Sequence, residues 1–160
     1  MDLPERKQNR LQNYDYSGSG AYFITICTQN HAQILCDIVG ANIVRPQDIS
    51  LTKYGEIVKS AIESIPEYYP AVSVDKYVIM PNHVHLLLQI HSEVNGRTLF
   101  APTIYRVIKQ TKGVITKRIG FSIWQKSFHD HVIRDEQDYL KIWNYIDENP
   151  AKWQEDKYYK

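Results

Sequence analysis

Val78-Ile79-Met80-Pro81-Asn82-His83-Val84-His85-Leu86-Leu87-Leu88 decides how this chain folds. Pro81 divides an apolar run into two strand-like halves, because proline cannot donate to a β-ladder. In the second half, period-2 geometry sends His83 and His85 to one face and Val84, Leu86, Leu88 and Ile90 to the other. The aliphatic face becomes core. The other face presents two imidazoles about 7 Å apart by strand rise. Such a pair can hold a divalent cation if a third group arrives from elsewhere. The plainer alternative is two polar residues facing solvent on a half-exposed strand, and for an isolated H-x-H that is the commoner case.

Outward from this stretch the chain alternates strand and helix signals. Residues 21–28 are β-branched and aromatic, and 34–44 could hold short strands around Gly40. In 53–65, Tyr54, Ile57, Val58, Ala61, Ile62 and Ile65 recur at helical spacing, with Pro66 as the stop. Strands over 72–80 and 82–90 are followed by a polar loop over 92–96. A second amphipathic helix is expected over about 99–119, ending at Gly120, then a strand-like stretch over 123–134. A last helix over 136–148 is stopped by Pro150. The order β, α, β, β, α, β plus a terminal helix predicts an α+β fold. It is a ferredoxin-like (RRM-like) antiparallel sheet with helices on one face and the histidines on the open face. An open sheet face can take a ligand or a strand of nucleic acid.

At 160 residues, 43% hydrophobic and 23% charged, the chain is expected to form one domain over 1–160, led by a polar arm over 1–18 with Arg6, Lys7 and Arg10. No apolar run approaches a membrane span, and the first residues lack a signal-peptide core, so no membrane partner is expected. Cys27 and Cys36 have no metal-type spacing, which makes a reduced, cytoplasmic setting the default. A net charge of +1 neither demands nor excludes nucleic acid, so the distribution of charge matters.

On the terminal helix, Tyr139, Leu140, Ile142, Trp143 and Ile146 are expected to form the apolar stripe. Tyr145 and Asn149 project together from its flank, one turn apart. Read on geometry alone, a rim tyrosine and a helix C-cap before Pro150 is the favoured reading of this pair. The helix before Gly120 carries Arg106, Lys109, Gly113 and Lys117 on one side, with Lys112 at its edge. This face could meet phosphates or simply be solvated. His129-Asp130-His131 repeats the H-x-H spacing, but its charged centre and the lack of a following apolar run rank it below His83 and His85. His31 and His91 sit in polar loops and carry no signal.

Several stretches together resemble the REP-associated tyrosine transposases, relatives of the single-tyrosine insertion-sequence transposases in the HUH endonuclease superfamily. They are Tyr14-Asp15-Tyr16, Tyr22-Phe23-Ile24-Thr25-Ile26-Cys27-Thr28, Val78-Ile79-Met80-Pro81-Asn82-His83-Val84-His85, Trp124-Gln125, His131-Val132-Ile133-Arg134-Asp135-Glu136 and Tyr145-Ile146-Asp147-Glu148-Asn149-Pro150. The resemblance spans nearly the whole chain in family order. It implies that His83 and His85 bind metal and that Tyr145 is the nucleophile. Asn149 stands where related transposases carry a polar metal ligand. The implied substrate is single-stranded DNA bearing a hairpin like those of repetitive extragenic palindromes, with Arg106, Lys109, Lys112, Lys117 and Arg134 as candidate DNA contacts.

This chemistry needs these residue types. A tyrosine phenolate conserves phosphodiester energy as an ester, and a cation, Mg²⁺ or Mn²⁺, polarises the scissile phosphate. Histidine ligands suit Mn²⁺ well. Relatives include monomers and swapped dimers. With about ten residues after Pro150, a monomer is expected over a homodimer. Two other classes compete: a non-catalytic (domesticated) nucleic-acid-binding module, and a metal-dependent phosphoesterase using water. Leu87 stands where a histidine-triad hydrolase would need its third histidine.

Overall fold

The computed structural model describes residues 20–38, 49–91, 93–94, 97–98 and 102–159. The expected arm with Arg6, Lys7 and Arg10, the Tyr14-Asp15-Tyr16 stretch and the neighbourhood of Gly40 lie outside the described residues. In chain order the elements are β1 (Gly20–Cys27), β2 (Cys36–Ile38), β3 (Ile49–Leu51), α1 (Lys53–Glu63), α2 (Ile65–Tyr68), β4 (Val72–Ile79) and β5 (His83–Ile90). They continue as β6 (Glu93–Val94), β7 (Arg97–Thr98), α3 (Ile104–Ile119), β8 (His129–Ile133) and α4 (Glu136–Glu148).

β4, β5, β1 and β8 form one antiparallel sheet in that order. This is the α+β arrangement expected from the sequence: the first helical crossover carries the chain to the far edge at β4, β5 fills the gap between β4 and β1, and the second crossover brings β8 to the other side of β1. Alternation on β5 works as the sequence implied. Val84, Leu86, Leu88 and Ile90 join Tyr22, Ile24 and Ile26 of β1 in a core closed by Val58 and Ile62 of α1 and by Val107, Ile108 and Ile115 of α3. The helix ends follow local chemistry. Thr52, Thr103 and Asp135 cap α1, α3 and α4 through their side-chain oxygens, and Gly120 closes α3 in the left-handed region at φ 100°.

Several boundaries differ from the sequence reading. Pro66 does not end α1. It enters the first turn of α2, where a missing N–H costs nothing. The cap at Thr103 starts α3 later than expected. The strand before α4 covers only five residues, with Trp124 meeting Thr28 in an isolated bridge. β6 and β7 pair with each other where a polar loop was expected. Among the described residues no helix is long and apolar enough to cross a membrane.

The second face of the sheet is not bare. α4 lies against it, burying Ile142 and Ile146 on Leu87 beside Phe23, Val78 and Ile133. Leu140 falls outside this stripe and is 53% exposed. At 100° per residue it points about 160° from Ile142, so it could never have shared that face.

Candidate functional site

A register irregularity in β4 fastens α4 over the sheet. Pairing with β5 shifts between Val74 and Lys76, freeing Asp75. Its carboxylate accepts a hydrogen bond from the Tyr139 hydroxyl at 2.7 Å. Next to it, Lys76 sits 4.4 Å above the Trp143 ring and 3.0 Å from the Asp147 carboxylate. Held this way, α4 brings the Tyr145 ring to 5.3 Å from the His85 ring and 6.0 Å from Phe23. Tyr145 remains 40% exposed.

Both histidines are buried, not projecting into solvent, and their rings lie 4.6 Å apart. Their neighbours fix which nitrogens are free. The Asn82 amide nitrogen donates to the Tyr158 carbonyl at 2.7 Å, so its oxygen turns to His83 Nδ1 at 2.8 Å. An amide oxygen only accepts, and therefore Nδ1 carries the proton and Nε2 keeps its lone pair. His85 Nδ1 lies 2.8 Å from the Thr25 hydroxyl, which can accept from it in the same tautomer. This is the arrangement in which outer hydrogen bonds aim imidazole lone pairs at a metal.

The segment after α4 completes the cluster. Trp153 is buried with its ring 5.9 Å from that of His83, and the Tyr158 ring lies 4.5 Å from it. Between them Asp156 places a carboxylate oxygen 3.7 Å from His83 Nε2. That oxygen also accepts from the Asn149 amide nitrogen at 2.8 Å, which leaves the Asn149 oxygen as the free end.

His83 Nε2, His85 Nε2 and Asn149 Oδ1 are all buried without a hydrogen-bond partner among the described residues. Three orphaned acceptors at one point are costly unless a cation or proton donor satisfies them. His83, His85 and Asp156 present ligand atoms within 4.8 Å of one another, the one such group among the described residues. Two nitrogen and two oxygen donors fit a first-row transition-metal ion such as Mn²⁺ better than one that demands oxygen alone. Burial pushes the nearby Cys27 thiol up to about 11, so it stays protonated.

Burial holds the His83 imidazole down to about 4 against the pull of Asp156, and burial together with His83 holds His85 well below its ordinary value. The sign follows directly. The unfolded chain binds these protons near pH 6.5 and the folded chain refuses them. In chelator, stability should be complete above that pH and should fall as pH drops toward about 4. Urea unfolding at stepped pH checks this, and His85→Asn should flatten the loss. A wild-type curve that stays level through this window contradicts it.

The structure thus brings together His83, His85, Tyr145 and Asn149 within one chain. It does not bring the candidate cations to them. α3 packs on the other face of the sheet, so Arg106, Lys109 and Lys117 point away from the histidines. Lys112 is half-buried and donates to the Gln125 carbonyl at 2.7 Å, so it is held by the protein itself. Arg134 is exposed just beyond β8. His129 is exposed opposite Thr25, and His131 lies 2.7 Å from Asp138. Asp156 was missed by the sequence reading. It sits in an irregular stretch, without a spacing rule to mark it. Asn82 was part of the quoted motif, but only its hydrogen bonds reveal a role.

No protein-family model matches the chain. An uncharacterized Haemophilus influenzae protein is 33% identical over 98% of this chain and 94% of its own length. A second protein from that organism carries the name REP-associated tyrosine transposase and is 28% identical over 89% of this chain and 77% of its own. The solved structure of a REP-associated tyrosine transposase bound to a REP hairpin is similar at a TM-score of 0.64 and 22% identity. It covers 92% of this chain and 77% of that one, a likeness that speaks to the fold. The chain belongs to one family with the first of these proteins, and in sequence and in fold it is similar to the REP-associated tyrosine transposases.

Proposed function

We propose that the protein is a metal-dependent endonuclease and strand transferase for single-stranded DNA. In this reading it recognises a hairpin of the REP type and cuts through a covalent 5′-phosphotyrosine at Tyr145. The observation that carries it is the convergence of three orphaned acceptors and one carboxylate beside an exposed tyrosine. His83, His85, Asn149 and Asp156 are the residues that would hold Mg²⁺ or Mn²⁺. When bound, the ion supplies polarisation of the scissile phosphate and stabilises the charge that develops there.

Tyr145 Oη attacks phosphorus and the bond from phosphorus to the 3′ oxygen breaks. The phosphate stays on the 5′ oxygen of the downstream segment, now esterified to the tyrosine. The phenolic proton leaves, and the departing 3′ oxygen gains one to become a hydroxyl. Attack by another 3′-hydroxyl reverses these bonds and joins strands without ATP. At rest, burial and the charge of Asp156 hold the Tyr145 phenol above its ordinary value, against an opposing hydrogen bond from Asn149. The resting tyrosine is therefore protonated. The meeting of Tyr145 with its own chain's histidines supports cleavage in cis by a monomer, acting on cytoplasmic DNA.

Asp156→Ala should weaken Mn²⁺ binding at least about tenfold, the scale seen when groups around a metal are lost. Titration calorimetry reads this directly, and unchanged affinity would remove Asp156 from the ligand set. Replacing Lys109 and Lys117 by Gln should flatten the slope of log K against log salt by roughly 0.7 for each single-stranded phosphate that is no longer neutralised. Hairpin preference should not change, because phosphate contacts carry no sequence. A wild-type slope would mean that this helix face is merely solvated. The charge that matters would then lie at Arg134 or in the arm with Arg6 and Arg10.

Incubation with an end-labelled single-stranded hairpin and Mn²⁺, followed by a denaturing gel, tests the proposal. A protein–DNA adduct is expected. Cut DNA without an adduct selects a water-using phosphoesterase, and a mobility shift on a native gel alone selects a binding module.

A further inference from the structure

On the face of the sheet opposite the histidines, α1, α2 and α3 enclose a cavity of about 500 Å³. Ala61, Ile65 and Val114 supply apolar walls, Tyr68 stands at the margin 65% exposed, and Gln110 and Lys117 line the cavity from α3. Gly113 is the unexplained member. A Cβ there would meet nothing within 4 Å among the described residues, so no packing among them requires glycine. Glycine in mid-helix costs stability relative to alanine. What its absent side chain does provide is room in the cavity wall.

We propose that this cavity receives one unpaired base from the strand flanking the DNA hairpin, a proposal that rests on the DNA-processing reading above. The lining matches that ligand in each of its parts. An exposed aromatic ring and aliphatic walls suit the face of a base, the Gln110 amide suits its edge, and the Lys117 ammonium suits the adjoining phosphate. The volume is at the scale of a small-ligand pocket and suits one nucleoside. Arg106 and Lys109 extend the positive charge along the exposed side of the same helix, giving the backbone a path on either side of the base. An apolar protein side chain would use the walls but would draw nothing from the exposed amide and ammonium.

Two hairpins of identical stem, one blunt and one with an unpaired 2-aminopurine tail, are bound to the full-length protein and followed by anisotropy and by 2-aminopurine emission. Wild type should prefer the tailed hairpin and quench its emission. Gly113→Phe, which fills the space, and Tyr68→Ala, which removes an exposed ring, should each weaken tailed binding at least about fivefold, the low end for stacking of one base. Blunt binding should move little, so the preference collapses. Tyr68→Ala alters a surface residue and keeps the test alive if Gly113→Phe does not fold. Unchanged tailed affinity, or equal loss for both hairpins, overturns the proposal and leaves the cavity to another ligand. Adduct formation by wild type is scored in parallel. An adduct with an indifferent cavity defeats this proposal alone, whereas a cavity-dependent preference without an adduct defeats the catalytic reading alone.

Discussion

His83→Ala and His85→Ala are each expected to abolish metal-dependent cleavage of hairpin DNA, while His129→Ala keeps most of it. Each of the first two substitutions removes a nitrogen whose lone pair is buried and has no hydrogen-bond partner among the described residues. A metal's stabilisation of transition-state charge is worth several kcal/mol, so its loss is expected to cost about a thousandfold or more in rate. The imidazole of His129 is exposed on an edge strand with no metal-ligand group beside it among the described residues, so its loss should remove nothing the chemistry uses. Single-turnover cleavage in Mn²⁺, with thermal melting of each variant as the folding control, makes the comparison. The control matters for His83→Ala, which leaves the Asn82 oxygen unpaired at a cost of about 1–3 kcal/mol. Equal loss from both histidine pairs in folded protein would place the metal on the wrong strand.

Tyr145→Phe is expected to eliminate the covalent adduct entirely while leaving hairpin affinity close to wild type. Phenylalanine keeps the ring that packs edge-on to Phe23 and His85, and removes only the hydroxyl. Two other tyrosines are close enough to serve as comparisons. Tyr139 is disarmed by geometry, since its hydroxyl is given to Asp75, and burial with that bond pushes the phenol up to about 12. Tyr158 is the stronger rival, because its ring lies against His83. Burial, followed by the neighbouring Cys27, Tyr145 and Asp156, pushes its phenol well up. Tyr139→Phe and Tyr158→Phe should therefore both retain an adduct. An adduct that survives Tyr145→Phe and vanishes in Tyr158→Phe would reassign the nucleophile.

What could be read from the sequence was what local geometry controls. Strand alternation alone separates Val84, Leu86, Leu88 and Ile90 from His83 and His85, and one helical turn alone puts Tyr145 beside Asn149. The caps at Thr103 and Gly120 are likewise short-range. What could not be read depends on groups far apart in the chain. The histidines are buried because α4 and the segment through Tyr158 roof them, and that segment is anchored by Trp153 and by the Asn82 amide. No periodicity in Lys152-Trp153-Gln154-Glu155-Asp156 announces a carboxylate aimed at His83. Lys112 was placed on a helix edge correctly, yet its ammonium is captured by a carbonyl from the irregular stretch before β8. Leu140 differs from these, because its angle on the helix is itself local and already excludes it from the buried stripe.

The central claim is that Tyr145 forms the covalent bond to DNA, and peptide mapping of the adduct tests it most directly. Trypsin cleaves after Lys141 and Lys152, so the peptide over 142–152 contains Tyr145 and no other tyrosine. Tyr139 falls in the peptide over 135–141 and Tyr158 in that over 158–160. After nuclease trimming of the bound DNA, the account predicts a 5′-phosphonucleotide mass on 142–152 alone, present with Mn²⁺ and absent with chelator. The same mass on 135–141 or 158–160, or cleaved DNA with no modified peptide, would contradict it.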